Sequence, residues 1–209
     1  FVSDALTLTF GARYSDEEKD FYQEPFGPAP NAGARTTNSE SWNDFGPKFG
    51  VRYQFSDDLM TYFSYQKGFK SGGFNGRCGQ TATCLLSFDP EEVDGYELGF
   101  KADWFDRRLR TNVAIFHSEY QDLQRTAIVP LPPGAANPQE TVTDNAAEAT
   151  IQGIELELTA LIGDLQLDVS IGVLDAEYDD FCADIDGAEA FSSMPASDCG
   201  GSVIQTTNL

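Results

Sequence analysis

Apolar and polar side chains alternate with a period of two along most of the chain. In Ala5–Tyr14, Leu6, Leu8, Phe10, Ala12 and Tyr14 share one face, and Thr7, Thr9, Gly11 and Arg13 the other. That periodicity marks a strand with one apolar side. Asp44–Phe55 repeats it: Phe45, Phe49, Val51, Tyr53 and Phe55 oppose Gly46, Lys48, Gly50, Arg52 and Gln54. Leu59–Phe69 is rich in aromatics, and its outward face is ambiguous. In Glu92–Trp104, Tyr96, Leu98, Phe100, Ala102 and Trp104 oppose Gly95, Glu97, Gly99, Lys101 and Asp103. Arg108–Tyr120 groups Leu109, Val113 and Ile115. Thr150–Ile162 sets Ile154, Leu156, Leu158, Ala160 and Ile162 against Gly153, Glu155, Glu157 and Thr159. Leu165–Tyr178 sets Leu165, Leu167, Val169, Ile171 and Val173 against Gln166, Asp168, Ser170 and Gly172.

The links between these segments come in two lengths. Ser56-Asp57-Asp58, Phe105-Asp106-Arg107 and Gly163-Asp164 are tight turns. Ser15–Ser41, Lys70–Glu91 and Gln121–Ala149 are long and polar, and the last stretch, from Asp179 onward, is acidic. Pro130, Pro132, Pro133 and Pro138 argue against regular pairing in the third of these. Predicted strands of about 10 to 14 residues exceed the usual soluble strand and can cross a bilayer at a tilt. Short turns at one end and long loops at the other are the pattern of an outer-membrane barrel.

The expectation is therefore an all-β chain: an antiparallel transmembrane β-barrel fragment of about seven strands, with short periplasmic turns and long extracellular loops. Charges opposite the apolar stripes would face an aqueous lumen, because a charge facing hydrocarbon costs several kcal/mol. The predicted lumen- or plug-facing residues are Lys48, Arg52, Glu97, Lys101, Glu155 and Glu157. Tyr14, Phe55, Phe69, Trp104, Phe105, Tyr120 and Tyr178 fall near strand ends, where interfacial girdles form. A soluble β-sandwich is the competing architecture, but its strands are shorter and its loops are not long at one end only.

Composition narrows the function. A formal net charge of −21 excludes a phosphate backbone as partner, so no nucleic acid is expected. Solubility accounts for the charge without invoking a cationic ligand. No run of 18 apolar residues is present, and no basic stretch followed by an apolar one opens the given sequence, so neither a transmembrane helix nor a signal peptide is expected within it. Both termini read as cuts in a longer barrel. His117 and Ser118 are neighbours on a strand and face opposite sides, so they cannot form a nucleophile–base pair, and no catalytic motif is found. Asp179, Asp180, Asp184, Asp186 and Asp198 lack the spacing of a Ca²⁺ loop and read as a solvated acidic stretch. No metal site and no cofactor is expected.

Cys78 and Cys84 fall in one predicted extracellular loop, and Cys182 and Cys199 in another. An even count at an oxidising surface favours two local disulfides. Lys70, Gly72 and Gly73 mark the entrance to the loop after the third strand, where the glycines read as a flexible entrance with positive φ in preference to a place of close backbone approach to plug or ligand.

Four blocks resemble one family. Met60–Phe74, MTYFSYQKGFKSGGF, resembles the Y-x-S-Y-x-x-G-F-K-S-G-G-F stretch of TonB-dependent receptor barrels. Phe88-Asp89-Pro90-Glu91 with Gly95–Lys101 is similar to its F-x-P-E and Y-E-x-G-x-K blocks. Val113–Phe116 with Tyr120–Gln124, and Gln152–Glu157, resemble the two strands that follow. The resemblance implies a barrel of about 22 strands, of which residues 1–209 are part, with a plug domain outside this chain. It implies active uptake of a scarce ligand, most simply a ferric siderophore or other iron complex, driven through the TonB complex contacting that plug, in outer-membrane lipid. A passive porin, with a constriction of fixed charges and no plug, is the alternative function, and a soluble carbohydrate-binding sandwich a third.

Overall fold

A computed structural model describes residues 5–23, 36–76, 85–130 and 139–181. It is all-β over these residues. The strands are β1 (Leu6–Gln23), β2 (Thr36–Ser56), β3 (Leu59–Lys70), β4 (Gly73–Phe74), β5 (Ser87–Phe88), β6 (Glu91–Trp104), β7 (Leu109–Pro130), β8 (Gln139–Ile162) and β9 (Leu165–Phe181). Seven form one antiparallel sheet in the order β1-β2-β3-β6-β7-β8-β9. The remaining two, β4 and β5, pair with each other.

Tight turns close three hairpins at one end of the sheet. In the β6–β7 turn Phe105, Asp106 and Arg107 take positive φ of 55°, 56° and 64°, and Arg108 N–H donates to the Phe105 carbonyl at 3.2 Å. Asp58 of the neighbouring turn accepts from Arg107 at 3.2 Å through its carboxylate and from the Asp103 amide at 2.8 Å through its carbonyl. Gly163 supplies the β8–β9 turn with φ +64°, a conformation glycine adopts without a Cβ penalty.

Register divides the sheet into two faces. Leu8, Val51, Phe63, Leu98, Ile115, Ile154 and Val173 lie directly opposite one another across all seven strands. The adjoining row on the other face is Thr7, Arg52, Tyr62, Gly99, Ala114, Glu155 and Gly172. No other part of the described structure covers the apolar face: Leu98 is 52% exposed, Ile115 51% and Val173 62%. Water would penalise such a surface at about 25 cal/mol per Å², whereas lipid hydrocarbon accepts it.

The same register gives the strand inclination. The apolar stripe ends at Tyr14 on β1, before Asp16, and at Val173 on β9, before Asp175. Val173 shares its row with Leu8, so the border moves 14 − 8 = 6 residues over the six strand steps. A shift of one residue (~3.3 Å) per strand spacing (~4.8 Å) is a tilt of roughly 35°, within the range of transmembrane barrels. At that tilt the stripe Leu6–Tyr14 spans about 22 Å, close to the height of an outer-membrane apolar band.

Several strands run far beyond the predicted ends. β1 continues to Gln23 and β2 begins at Thr36, pairing through what reads in sequence as a polar loop. β7 and β8 pair from Leu123 with Ala147 to Pro130 with Gln139, past a bulge at Tyr120–Leu123. Pro130 does not prevent this, because it is the last residue of its strand, where a missing N–H is tolerated. Above the membrane no lipid lies against the strands, so ladder hydrogen bonds can carry a hairpin whose side chains show no sustained apolar periodicity. Tyr120 and Tyr178 are not girdle residues: they pack against the buried cluster Leu123, Ala147 and Ala149. Phe69 is half-buried, whereas Tyr14, Phe55, Trp104 and Phe105 are exposed at the ends of the apolar stripe.

Replacing Leu98 by Arg in the intact protein is expected to destabilise it by about 2–4 kcal/mol, the cost of a cation near the bilayer midplane. Glu155→Arg, on the opposite face, is expected to change stability by under about 1 kcal/mol. Denaturant unfolding in phospholipid vesicles measures both.

Candidate functional site

All six residues expected to face the interior lie on the charged face, but they do not converge on one point. Arg52 Nη2 donates to Thr7 Oγ1 at 3.2 Å. Tyr62 OH donates to Glu97 Oε1 at 2.5 Å, and Lys101 Nζ lies 5.9 Å from the centre of the same ring. Asn112 Nδ2 donates to Glu157 Oε2 at 3.2 Å. Glu155 occupies the row of Arg52 and Tyr62, four strands from Arg52. Lys48 lies opposite Gly11 and Gln66. Towards the turn end, Arg110 forms a two-pronged pair with Asp103 at 2.8 and 3.1 Å. A recess of about 280 Å³ opens there, lined by Gln54, Asp58, Met60, Lys101, Arg110 and Asn112.

Tyr62 organises this wall, and its aromatic-rich strand left its facing unresolved in sequence. Its even position, in step with Ser64 and Gln66, was the available signal. The ring lies flat across Gly99: a Cβ there would stand 2.1 Å from the ring carbons. Phe116 covers Gly153 in the same way, at 2.7 Å. Glycine beneath an aromatic ring keeps the ring against the wall rather than projecting from it.

At the loop end of the same face, residues 71–76 and 85–90 fold back over the sheet around the β4–β5 pair. Gly72 and Gly73 are not a flexible hinge, and neither has positive φ. A Cβ at Gly72 would meet the Phe88 carbonyl at 2.4 Å and the Trp42 ring at 2.5 Å, and one at Gly73 would meet the Phe88 ring at 2.8 Å. Close approach is the reason for both glycines. Lys70 is an ion-pair partner, 3.2 Å from Glu91. Phe74 stacks on Phe21 at 5.4 Å and meets Trp42 edge-on at 6.2 Å.

Asn145 is the polar hub opposite, and nothing in its sequence neighbourhood announced it. Its Nδ2 donates to the carbonyls of Asp89 (2.9 Å), Pro90 (3.3 Å) and Asp122 (2.7 Å), and its Oδ1 accepts from Asp89 N–H at 2.6 Å. Burial raises the Asp144 and Asp122 carboxyl pKa values above the ordinary range, with neighbouring Asp89 adding to both.

His117 Nε2 lies 3.1 Å from Glu119 Oε1, and Thr150 donates to Asp179 at 2.7 Å. Among the described residues, no three His, Cys, Asp or Glu side chains are placed to hold a metal ion. Cys78, Cys84, Cys182 and Cys199 lie outside the described residues.

Gly99→Val is expected to lift Tyr62 off the wall, break its bond to Glu97 and cost about 1–3 kcal/mol. Gly172→Ala, where a Cβ meets nothing within 4 Å, is the control and is expected to be near neutral. Thermal unfolding of the two variants measures the difference.

The family described as TonB dependent receptor-like, beta-barrel matches residues 1–195. The ferric-pyoverdine BN7/BN8 receptor of Pseudomonas putida is 31% identical over 158 residues, covering 75% of this chain and 17% of that protein. The metal-pseudopaline receptor CntO of Pseudomonas aeruginosa is 31% identical over 143 residues, covering 68% of this chain and 18% of that protein. The chain thus spans less than a fifth of the length of these two relatives. The crystal structure of the ferric yersiniabactin uptake receptor FyuA from Yersinia pestis superposes with a TM-score of 0.63 at 19% identity, covering 85% of this chain and 25% of that one. With an uncovered apolar face, a charged face and strands inclined as in a barrel wall, the chain belongs to the TonB-dependent receptor β-barrel family of the outer membrane.

Proposed function

We propose that this chain forms part of the barrel wall of an outer-membrane receptor that takes up a scarce metal complex, most simply a ferric siderophore, with energy delivered by TonB. The observation that carries this reading is the pairing of a two-faced, tilted sheet with relatives that are themselves metal-pseudopaline and ferric-pyoverdine receptors. Residues 1–209 belong to the barrel domain in this reading, and the plug that contacts the TonB complex lies elsewhere in the protein. The apolar rows face outer-membrane lipid.

The charged face would line the lumen. Lys48, Arg52, Glu97, Lys101, Glu155 and Glu157 would offer donors and acceptors to the plug along its length. Spread over several strands rather than focused, they suit a long interface better than a single small-ligand pocket. The chemistry required is binding and passage, and no bond-making step is assigned to any residue.

Inactivating the gene is expected to abolish growth on the cognate ferric siderophore under iron limitation, and removal of TonB is expected to have the same effect. Uptake that persists without TonB would establish the passive porin instead. Within the wall, Glu97→Leu is expected to leave membrane insertion intact and loosen plug packing. The plug's unfolding transition, followed by calorimetry in detergent, is expected to fall by several degrees; an unchanged transition would remove Glu97 from the interface.

A further inference from the structure

The segment between β3 and β6 reads in sequence as a free loop, yet the structure attaches it to the wall at two widely separated places. One anchor is on β1 and β2. Lys19 Nζ donates to the Gly72 carbonyl at 2.5 Å, Asn38 Nδ2 donates to the Leu85 carbonyl at 2.9 Å, and Phe74 sits between Phe21 and Trp42. Trp42 itself is only 8% exposed. The other anchor is on β7 and β8. Asn75 is 6% exposed and pairs with the backbone of Thr143 in both directions: its Nδ2 donates to the carbonyl at 3.1 Å, and its Oδ1 accepts from the amide at 2.6 Å. Asn145 makes the same two-way pairing with Asp89, and Gln124 Nε2 donates to the carbonyls of Ser71 and Asp89, both at 3.0 Å.

These contacts are of a particular kind. A mobile loop offers its backbone to water, whereas here asparagine and glutamine amides replace the missing ladder partners and satisfy the backbone one group at a time. The glycines complete the seat, since no side chain fits at Gly72 between Trp42 and Phe88. The anchors stand three to five strand steps apart in the order β1-β2-β3-β6-β7-β8, about 14 to 24 Å along the sheet. A tie between two separated points on the inner side of a curved wall acts as a chord. Its length sets the curvature of the arc beneath it.

We propose that residues 71–76 and 85–90 are a fixed brace, not a lid, tying β1–β2 to β7–β8 across the inner face and holding the curvature of the barrel mouth. The brace rests on the sheet geometry and holds whichever ligand the receptor carries. It makes residues 71–76 and 85–90 a static part of the mouth, and it couples the two rims mechanically although β3 and β6 lie between them. Loosening one anchor therefore loosens the other.

Hydrogen exchange followed by mass spectrometry on the intact receptor in detergent tests this, with heat-modifiable migration confirming a folded barrel. In the Asn75→Ala/Asn145→Ala variant, exchange is expected to quicken roughly tenfold at Asp89 and Thr143, and also at residues 17–23 and 36–42 on the far rim. Phe74→Ala, cut at the opposite anchor, is expected to quicken exchange at residues 139–145, and it decides the matter alone if the double variant does not assemble. Effects confined to the mutated side would overturn the brace, as would fast exchange at Asp89 and Thr143 in the unaltered protein. Loss of uptake plays no part in the reading, so failure of the transport assignment leaves this result standing.

Discussion

The demand that every backbone polar group find a partner inside hydrocarbon governs this structure. Only a continuous ladder meets it, and seven strands here form one antiparallel sheet in the order β1-β2-β3-β6-β7-β8-β9. Buried side chains contribute little by comparison: among the described residues, the one cluster of buried apolar residues is Leu123, Ala147 and Ala149. Once the ladder is in place, its register decides everything that follows. It places Leu98 beside Phe63 and Ile115 on one face, and Glu97 beside Ser64 and Phe116 on the other. A slip of one residue would exchange the two sets.

The charged face combines two tasks. In the membrane-spanning part, glycines under Tyr62 and Phe116 let both rings lie close against the charged face of the sheet. Above the membrane, the wall reaches inward instead, through β4, β5 and their flanks. There the polar contacts are made chiefly by side-chain amides on backbone, which hold geometry without adding charge to a mouth already crowded with carboxylates. Partial burial and the neighbouring Asp89 raise the carboxyl pKa values of Asp122 and Asp144.

Much of the fold could be read from the residues because lipid imposes a period of two on any strand that crosses it. Leu6 to Tyr14 and Leu165 to Val173 show that period plainly, and their strand starts agree with the structure to a residue. Beyond the membrane the constraint disappears, and legibility goes with it. Residues 15–23 and 36–43 pair as regularly as their neighbours, yet their side chains carry no sustained apolar alternation, because no lipid lies against either face and the covered side mixes Lys19 and Asn38 with Phe21 and Trp42. Tyr120 and Tyr178 misled for the same reason. They stand near the ends of the apolar stripe but on the opposite face, where Ala149 lies between them in register and both rings pack on a local cluster.

The sequence by itself determined which residues share the apolar face and which do not, where the tight turns fall, and that Lys48, Arg52, Glu97, Lys101, Glu155 and Glu157 share the other face. Those are local consequences of side-chain alternation and turn chemistry. Tertiary structure alone decided that Asn145 and Asn75 would grip a segment some 50 to 70 residues away, and that Gly72 serves closeness rather than flexibility. It also set the strand inclination, which no single strand contains. Each of these depends on register across the sheet, and register is a relation between strands.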